Sequence, residues 1–286
     1  MAKSNIVVRA TSLKDFRFWL LAIAAGLIAI HLVLTYRTDN ANLLVSSMVF
    51  WFVVSYLIWV KRYTLNLKVS LISTLLGGVL LGVVLLKSTA ITGGNFLRLY
   101  PFLSGVGVAL LASGFRGMRQ YWQELTLLFF LGVPEVLFPL FVDISELTAR
   151  FSTTLLRFTG FDVARQGVFI HLPTGSVEVY SACSGLQTIL QVLGFALLCM
   201  ILVPMRSHWL QKLALFFAAA LIGFVVNSVR VALMAHLVAA QQPEAFQYWH
   251  VGQGSLVFSM VAVMSFIGLY WWFAQSTLSA ICNPLK

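Results

Sequence analysis

Three side chains in this sequence carry the chemistry needed to break and remake a peptide bond. They are the thiol of Cys183 in Ser181-Ala182-Cys183-Ser184-Gly185, the guanidinium of Arg230 in Asn227-Ser228-Val229-Arg230, and the imidazole of His250 in Trp249-His250-Val251-Gly252. A thiolate attacks carbonyl carbon, an imidazole exchanges a proton near neutral pH, and a guanidinium offers fixed N–H donors to an anion. Taken singly, each has a plainer reading. Cys183 serves as a small apolar residue near a helix end, Arg230 snorkels to lipid headgroups, and His250 is a bystander in an interfacial loop. What distinguishes them is that the elements around them bring all three to one boundary of a membrane.

The composition dictates those elements. The 286 residues are 60% hydrophobic and 10% charged, with a mean hydropathy of +0.91, against about 25% charged residues in a soluble domain. So much apolar sequence implies a polytopic helical membrane protein, because lipid accepts only structures that satisfy their own backbone. About eight apolar runs approach or exceed the length of a spanning helix, at 17–35, 41–60, 70–86, 97–113, 124–142, 184–203, 211–239 and 255–274. The first is read as a retained span, since no small-residue cleavage site follows it. No internal repeat is visible, and residues 1–286 are expected to form one all-α membrane domain.

The net charge of +10 comes from 19 Lys and Arg against 9 Asp and Glu. In short loops between apolar runs, this charge sets orientation and attracts anionic lipid, and no nucleic acid is expected. Twelve basic residues fall on one side: Lys3, Arg9, Lys14 and Arg17, then Lys61, Arg62 and Lys68, then Arg116 and Arg119, then Arg206 and Lys212, and finally Lys286. Six fall on the other: Arg37, Lys87, Arg98, Arg150, Arg157 and Arg165. Basic residues favour the cytoplasm, so both termini are expected there and the 143–183 loop outside. In that loop Leu147, Phe151, Leu155 and Phe158 repeat at helical spacing, as in a helix lying in the headgroup plane. The segments 167–172 and 177–180, joined by Pro173-Thr174-Gly175-Ser176, read as a short β-hairpin leading to Cys183.

Cys183 then stands at the outer mouth of the sixth span, where Ser184 and Gly185 open the helix and leave room for a substrate backbone. A helix N-terminus, with free N–H groups and partial positive charge, favours a thiolate. Arg230 lies 19 residues into the seventh run, roughly 29 Å along it, level with Cys183, and Asn227 shares its face. His250 lies in the external connection 241–254, and His171 on the hairpin is a rival for proton transfer. Glu135 is an acid in the outer half of the fifth span; it either orients Arg230, contacts substrate or forms a structural ion pair. His31, His208, His236, Cys199 and Cys282 lie away from this boundary. No ligand-spaced cluster or nucleotide-binding glycine loop is present in the sequence, so neither a metal nor an organic cofactor is expected.

Ordered in this way, Ala182-Cys183-Ser184-Gly185, Asn227-Ser228-Val229-Arg230 and Trp249-His250-Val251-Gly252 resemble the exosortase/archaeosortase family of integral-membrane transpeptidases. Pro134 and Pro139 ahead of the external loop also fit, and 97–101 with 112–117 resemble its cyanobacterial branch. The resemblance implies Cys183 as nucleophile, Arg230 as electrostatic partner and His250 as acid–base residue, in a bacterial plasma membrane with the site facing outward. It implies as substrates exported proteins bearing a PEP-CTERM-like tail: a short motif, a membrane helix and a basic cluster. Two other readings use the same residues. A membrane cysteine acyltransferase needs the same thiol and base, and a transporter or assembly scaffold would line a path with Arg230 and Glu135.

Overall fold

The computed structural model describes residues 16–90, 94–205, 208–250 and 252–282, with side chains to residue 275. Lys3, Arg9, Lys14, Arg206, Val251 and Lys286 lie outside the described residues, and the Cys282 side chain lies outside the described side chains. The first five helices are α1 (Phe16–Tyr36), α2 (Ala41–Lys61), α3 (Leu71–Ala90), α4 (Asn95–Gly117) and α5 (Trp122–Leu137). The middle segment follows, with α6 (Ser145–Phe158), β1 (Ala164–Gln166), β2 (Phe169–Leu172) and β3 (Gly175–Glu178). The chain ends with α7 (Leu186–Leu202), α8 (Trp209–Ala239), α9 (Pro243–His250) and α10 (Gln253–Cys282).

Among the described residues seven helical stretches are long and apolar enough to cross a membrane, and the protein is a polytopic helical membrane protein. One stretch, Asn95–Leu140, has 46 residues and as a straight helix would reach roughly 70 Å, about twice the hydrocarbon thickness. It does not run straight. Gly114 takes φ +65°, which breaks the helical path, and a 3-10 turn at Met118–Tyr121 leads into α5. Leu128 of α5 then lies against Gly105 of α4, while Glu135 returns to Arg98 near the start of α4. The two expected runs 97–113 and 124–142 are therefore antiparallel neighbours within one apolar stretch.

The main core joins α2, α5, α7 and α10 through Phe50, Leu127, Val192, Ala196 and Phe266, all nearly or fully buried. At the other end of α8, a second core forms where the sheet covers α6 and α8. It contains Ala149, Ile170, Val177, Val179, Val231, Met234 and Cys183. The helix α6 occurs where its periodicity places it, and the side it turns to the protein is made mostly of small residues. Ser145, Thr148, Ala149, Ser152, Thr153 and Leu156 are buried, whereas Leu147 and Phe158 are 55% and 88% exposed. Small residues let two helix backbones approach closely and leave hydroxyls to bond across the seam. Ser152 Oγ donates to the Ser228 carbonyl at 2.9 Å.

The sheet has order β1-β2-β3, antiparallel throughout, with one strand more than the expected hairpin. Its register pairs Leu172 with Gly175, so the turn is only Pro173-Thr174. The connection after α8 is also more ordered than expected, because residues 243–250 form α9.

Candidate active site

The site is assembled on the seam between α7 and α8. Gly223 of α8 allows this close approach, since a Cβ there would sit 2.8 Å from the Cα of Ile189. One turn further on, Asn227 is buried and its Nδ2 donates to the Cys183 carbonyl at 3.0 Å. Gly185 occupies the left-handed region at φ +93°, and a Cβ there would lie 2.6 Å from Asn227 Nδ2. Two features thus select glycine at 185: the backbone conformation and the amide packed against it. From the other side, Thr148 Oγ1 of α6 donates to the Ser184 carbonyl at 2.6 Å.

Cys183 itself precedes the helix. It ends a 3-10 turn at Ser181–Cys183, and α7 begins only at Leu186. The Cys183 N–H donates to Tyr180 O at 2.8 Å and the Ser184 N–H to Ser181 O at 3.2 Å. This corrects the expectation of free N–H groups beside the thiol: those of Cys183 and Ser184 close the turn. Ser184 is buried, and its hydroxyl donates to the Ser181 carbonyl at 2.7 Å.

His250 ends α9, which folds back over the mouth of α7. Its Nε2 lies 3.4 Å from Cys183 Sγ and 3.2 Å from the Tyr180 hydroxyl. The Phe246 ring, one turn earlier, stacks on the imidazole with centroids 5.1 Å apart. Burial, followed by the nearby charge of Arg230, holds His250 below its ordinary pKa, so the imidazole favours its neutral, proton-accepting form. The phenol of Tyr180 titrates above its ordinary range, first through its hydrogen bond with Cys183 and then through burial.

Arg230 is half-buried on α8. Its Nε donates to the Trp249 carbonyl at 3.2 Å and an Nη donates to the His250 carbonyl at 2.6 Å. These carbonyls belong to the last turn of α9, where intrahelical partners run out. The guanidinium therefore caps α9 and fixes the backbone that carries the imidazole, while its charge acts on both Cys183 and Tyr180. A cleft of about 250 Å³ opens beside the dyad, bounded by Tyr180, Cys183, His250, Phe246 and the α8 residues Val231 and Met234.

The structure thus brings together Cys183, Arg230, His250, Asn227, Ser184 and Gly185. Two sequence candidates fall elsewhere. His171 lies on β2, where its ring stacks on Phe169 at 6.2 Å, outside the residues that bound the cleft. Glu135 pairs with Arg98 of α4, not with Arg230. It borders a separate small cavity with Asn42, Gln187 and Gln191. His31 is likewise structural: Trp51 donates to its Nδ1 at 3.0 Å, and its Nε2 faces the Leu97 carbonyl at 3.1 Å. Among the described residues, no group of three or more His, Cys, Asp or Glu side chains could hold a metal. The side chain that sequence reasoning missed is Tyr180. The available signal was its spacing, three residues before Cys183, which one 3-10 turn converts into a shared face.

These features define a class: a polytopic membrane protein with a cysteine–histidine pair at a helix mouth and an arginine behind the histidine. The model of the transmembrane exosortase family (Exosortase_EpsH) matches residues 38–267, a span that includes every residue of this site. The chain belongs to that family. No curated protein and no solved structure matches it.

Proposed function

We propose that the protein is a cysteine transpeptidase or endopeptidase that removes C-terminal sorting tails from exported proteins through a thioester. The observation that carries this reading is the 3.4 Å approach of Cys183 Sγ to His250 Nε2 beside an open cleft. In the first step His250, held in its neutral form, accepts the thiol proton, and the sulfur attacks the scissile carbonyl carbon. The developing oxyanion faces Arg230. Two of its five N–H groups already hold α9, which leaves three for the anion. Such a donor supports about 2.7–4 kcal/mol of transition-state stabilisation. The C–N bond then breaks, His250 returns its proton to the departing amine, and the acyl group stays on sulfur. An amine acceptor attacking the thioester completes a transfer, and water completes a hydrolysis.

Orientation follows from charge. The end of the bundle opposite the site carries Lys61, Arg62, Lys68, Arg116, Arg119 and Lys212, which favours the cytoplasm for that end and the outer face for Cys183. The substrate's own tail helix would then lie in the bilayer, with its scissile bond at the outer boundary.

The test is co-expression with a tagged protein bearing a PEP-CTERM-type tail, comparing wild type with Cys183→Ala. The expected result is loss of the tail, read by mass, only when Cys183 is intact. Equal processing by a folded Cys183→Ala protein would eliminate the thiol as nucleophile.

A further inference from the structure

The cleft beside Cys183 has an unusual wall. Five consecutive residues, Ser176 through Tyr180, border it. Successive side chains of a strand point to opposite faces, so a surface that touches every residue in turn is touching the strand's edge. The register confirms which groups lie there. Ile170 pairs with Val177 and Leu172 with Gly175, and the Val179 N–H donates to Val168 O at 3.0 Å. In an antiparallel ladder the residues between such pairs direct their N–H and C=O away from the partner. Here those residues are Ser176 and Glu178. The sheet order makes β3 a terminal strand, so nothing in the sheet continues the ladder on that side.

The other boundaries suit an extended chain. Val231, Met234 and Val238 lie three and four apart on α8 and form an apolar floor, while Phe246 and His250 of α9 form the facing wall. From Val231 to Val238 the floor runs roughly 10 Å, which an extended peptide covers with about three residues. The wall is held in place. Thr174 Oγ1 donates to the Ala239 carbonyl at 2.5 Å, and Gly175 packs so closely that a Cβ would sit 2.8 Å from Val238. At its inner end the trough reaches the thiol.

We infer that this trough binds an extended peptide segment as a fourth strand on β3, with backbone bonds to Ser176 and Glu178 and apolar side chains on the α8 floor. The inference rests on the peptidase reading and specifies how that site takes its substrate. It also assigns the side of the scissile bond. At 1.5 Å per residue, the first twenty or so residues of α8 use up about 30 Å of hydrocarbon, so the turns from Val231 to Val238 project beyond the membrane. The trough therefore holds the exported part, the acyl side, which stays on the enzyme as the thioester while the tail helix departs.

The probe is a tripeptide chloromethyl ketone of small apolar residues, reacted with the full-length protein in lipid nanodiscs. Sulfur forms a bond to the methylene carbon as chloride leaves and the thiol proton passes to His250. Modification of Cys183 is followed by mass, with iodoacetamide as a reagent too small to need the strand. An N-methyl scan along the peptide should slow the reaction at alternate residues only, by about three- to tenfold, the effect of one lost hydrogen bond. Glu178→Pro removes an outward N–H without breaking the β2–β3 ladder. It should slow the ketone by a similar factor and leave iodoacetamide unchanged, whereas Glu178→Ala, which keeps the N–H, should slow the ketone less than proline does. Equal or absent effects at every N-methyl position would overturn strand docking, as would a Glu178→Ala loss matching that of proline. If the scan alternates but tagged tails stay intact, docking stands and the peptidase reading fails. If tails are cleaved without alternation, the docking alone is wrong.

Discussion

Replacing Gly185 with alanine should damage the site through two separable effects, and a double-variant cycle separates them. Gly185 has φ +93°, a conformation that costs an L-residue about 1–2 kcal/mol. The new Cβ would also lie 2.6 Å from Asn227 Nδ2 and 2.8 Å from its Cγ. Overpacking of this kind costs about 1–3 kcal/mol, and displacement of the amide forfeits its bond to the Cys183 carbonyl. Asn227→Ala alone leaves that carbonyl without its donor, at about 1–3 kcal/mol. In the double variant the amide is absent, so the two shortest overlaps disappear, only the 3.0 Å approach to the Cβ of residue 227 is left, and the hydrogen bond is not lost twice. The expected result is a double variant about as stable as Gly185→Ala alone and at least about 1 kcal/mol better than the sum of the singles, as contacting residues show when they couple. Thermal unfolding of all four proteins in the same detergent measures this, with alkylation of Cys183 by iodoacetamide as a local readout. Strict additivity would refute the packing of Asn227 on Gly185 and, with it, the account of what fixes Cys183.

Other perturbations test the remaining contacts. Because burial and then Arg230 lower the His250 pKa from 6.5, its base form persists below that pH and is lost only as pH falls through the lowered value. Arg230→Gln removes the charge, so the acid midpoint of Cys183 alkylation should move upward; an unchanged midpoint would show that the charge does not reach the pair. Tyr180→Phe keeps the ring but removes the hydroxyl 3.2 Å from His250 Nε2. Tail processing should fall about two- to tenfold without loss of fold, and full activity would reduce Tyr180 to a packing residue. Glu135→Gln strands the Arg98 charge, which for a buried pair costs about 3–5 kcal/mol; the 19% side-chain exposure of Arg98 places the value at the lower end. The double change Arg98→Met with Glu135→Leu should recover most of that stability, and failure to do so in thermal unfolding would give the pair a role beyond mutual neutralisation.

Much of the helix layout was legible because lipid imposes one strong rule, a long apolar run for each crossing. Asn227 and Arg230 were legible for the same reason, as polar groups set in an apolar helix. Pairing across the chain was not. His250 and Cys183 are 67 residues apart, and they meet only because α9 folds back, held by carbonyl contacts that leave no pattern in sequence. Glu135 found Arg98 for a similar reason: the α4–α5 reversal turns on the backbone angle of Gly114, which composition does not report. For α6 the periodicity gave the helix and also its outward side, since Leu147 and Phe158 at the two ends of the expected apolar stripe are exposed. Beside a bilayer small residues let helices pack closely, and of the apolar stripe only its middle, Phe151 and Leu155, is half-buried against Phe224 and the cluster beneath the sheet. The third strand, β1, was missed because three residues with Arg165 at their centre carry no alternation.

The two halves of the dyad are held by different kinds of structure. Cys183 is gripped from several sides, by Asn227 on its carbonyl, Thr148 on the next carbonyl and the apolar cluster beneath the sheet. His250 ends an eight-residue helix, too short to be stable alone, and depends on the Arg230 fork and the stack with Phe246. The chemistry proposed here asks for such a division. The sulfur must stay fixed through both acylation and release, while the imidazole serves the departing amine first and the incoming nucleophile afterwards. Arg230 joins the two demands, because the guanidinium that the proposed mechanism assigns to the oxyanion also anchors the histidine backbone. Loss of Arg230 therefore removes charge and geometry together, and Arg230→Lys, which keeps the charge without the planar fork, leaves the histidine unanchored.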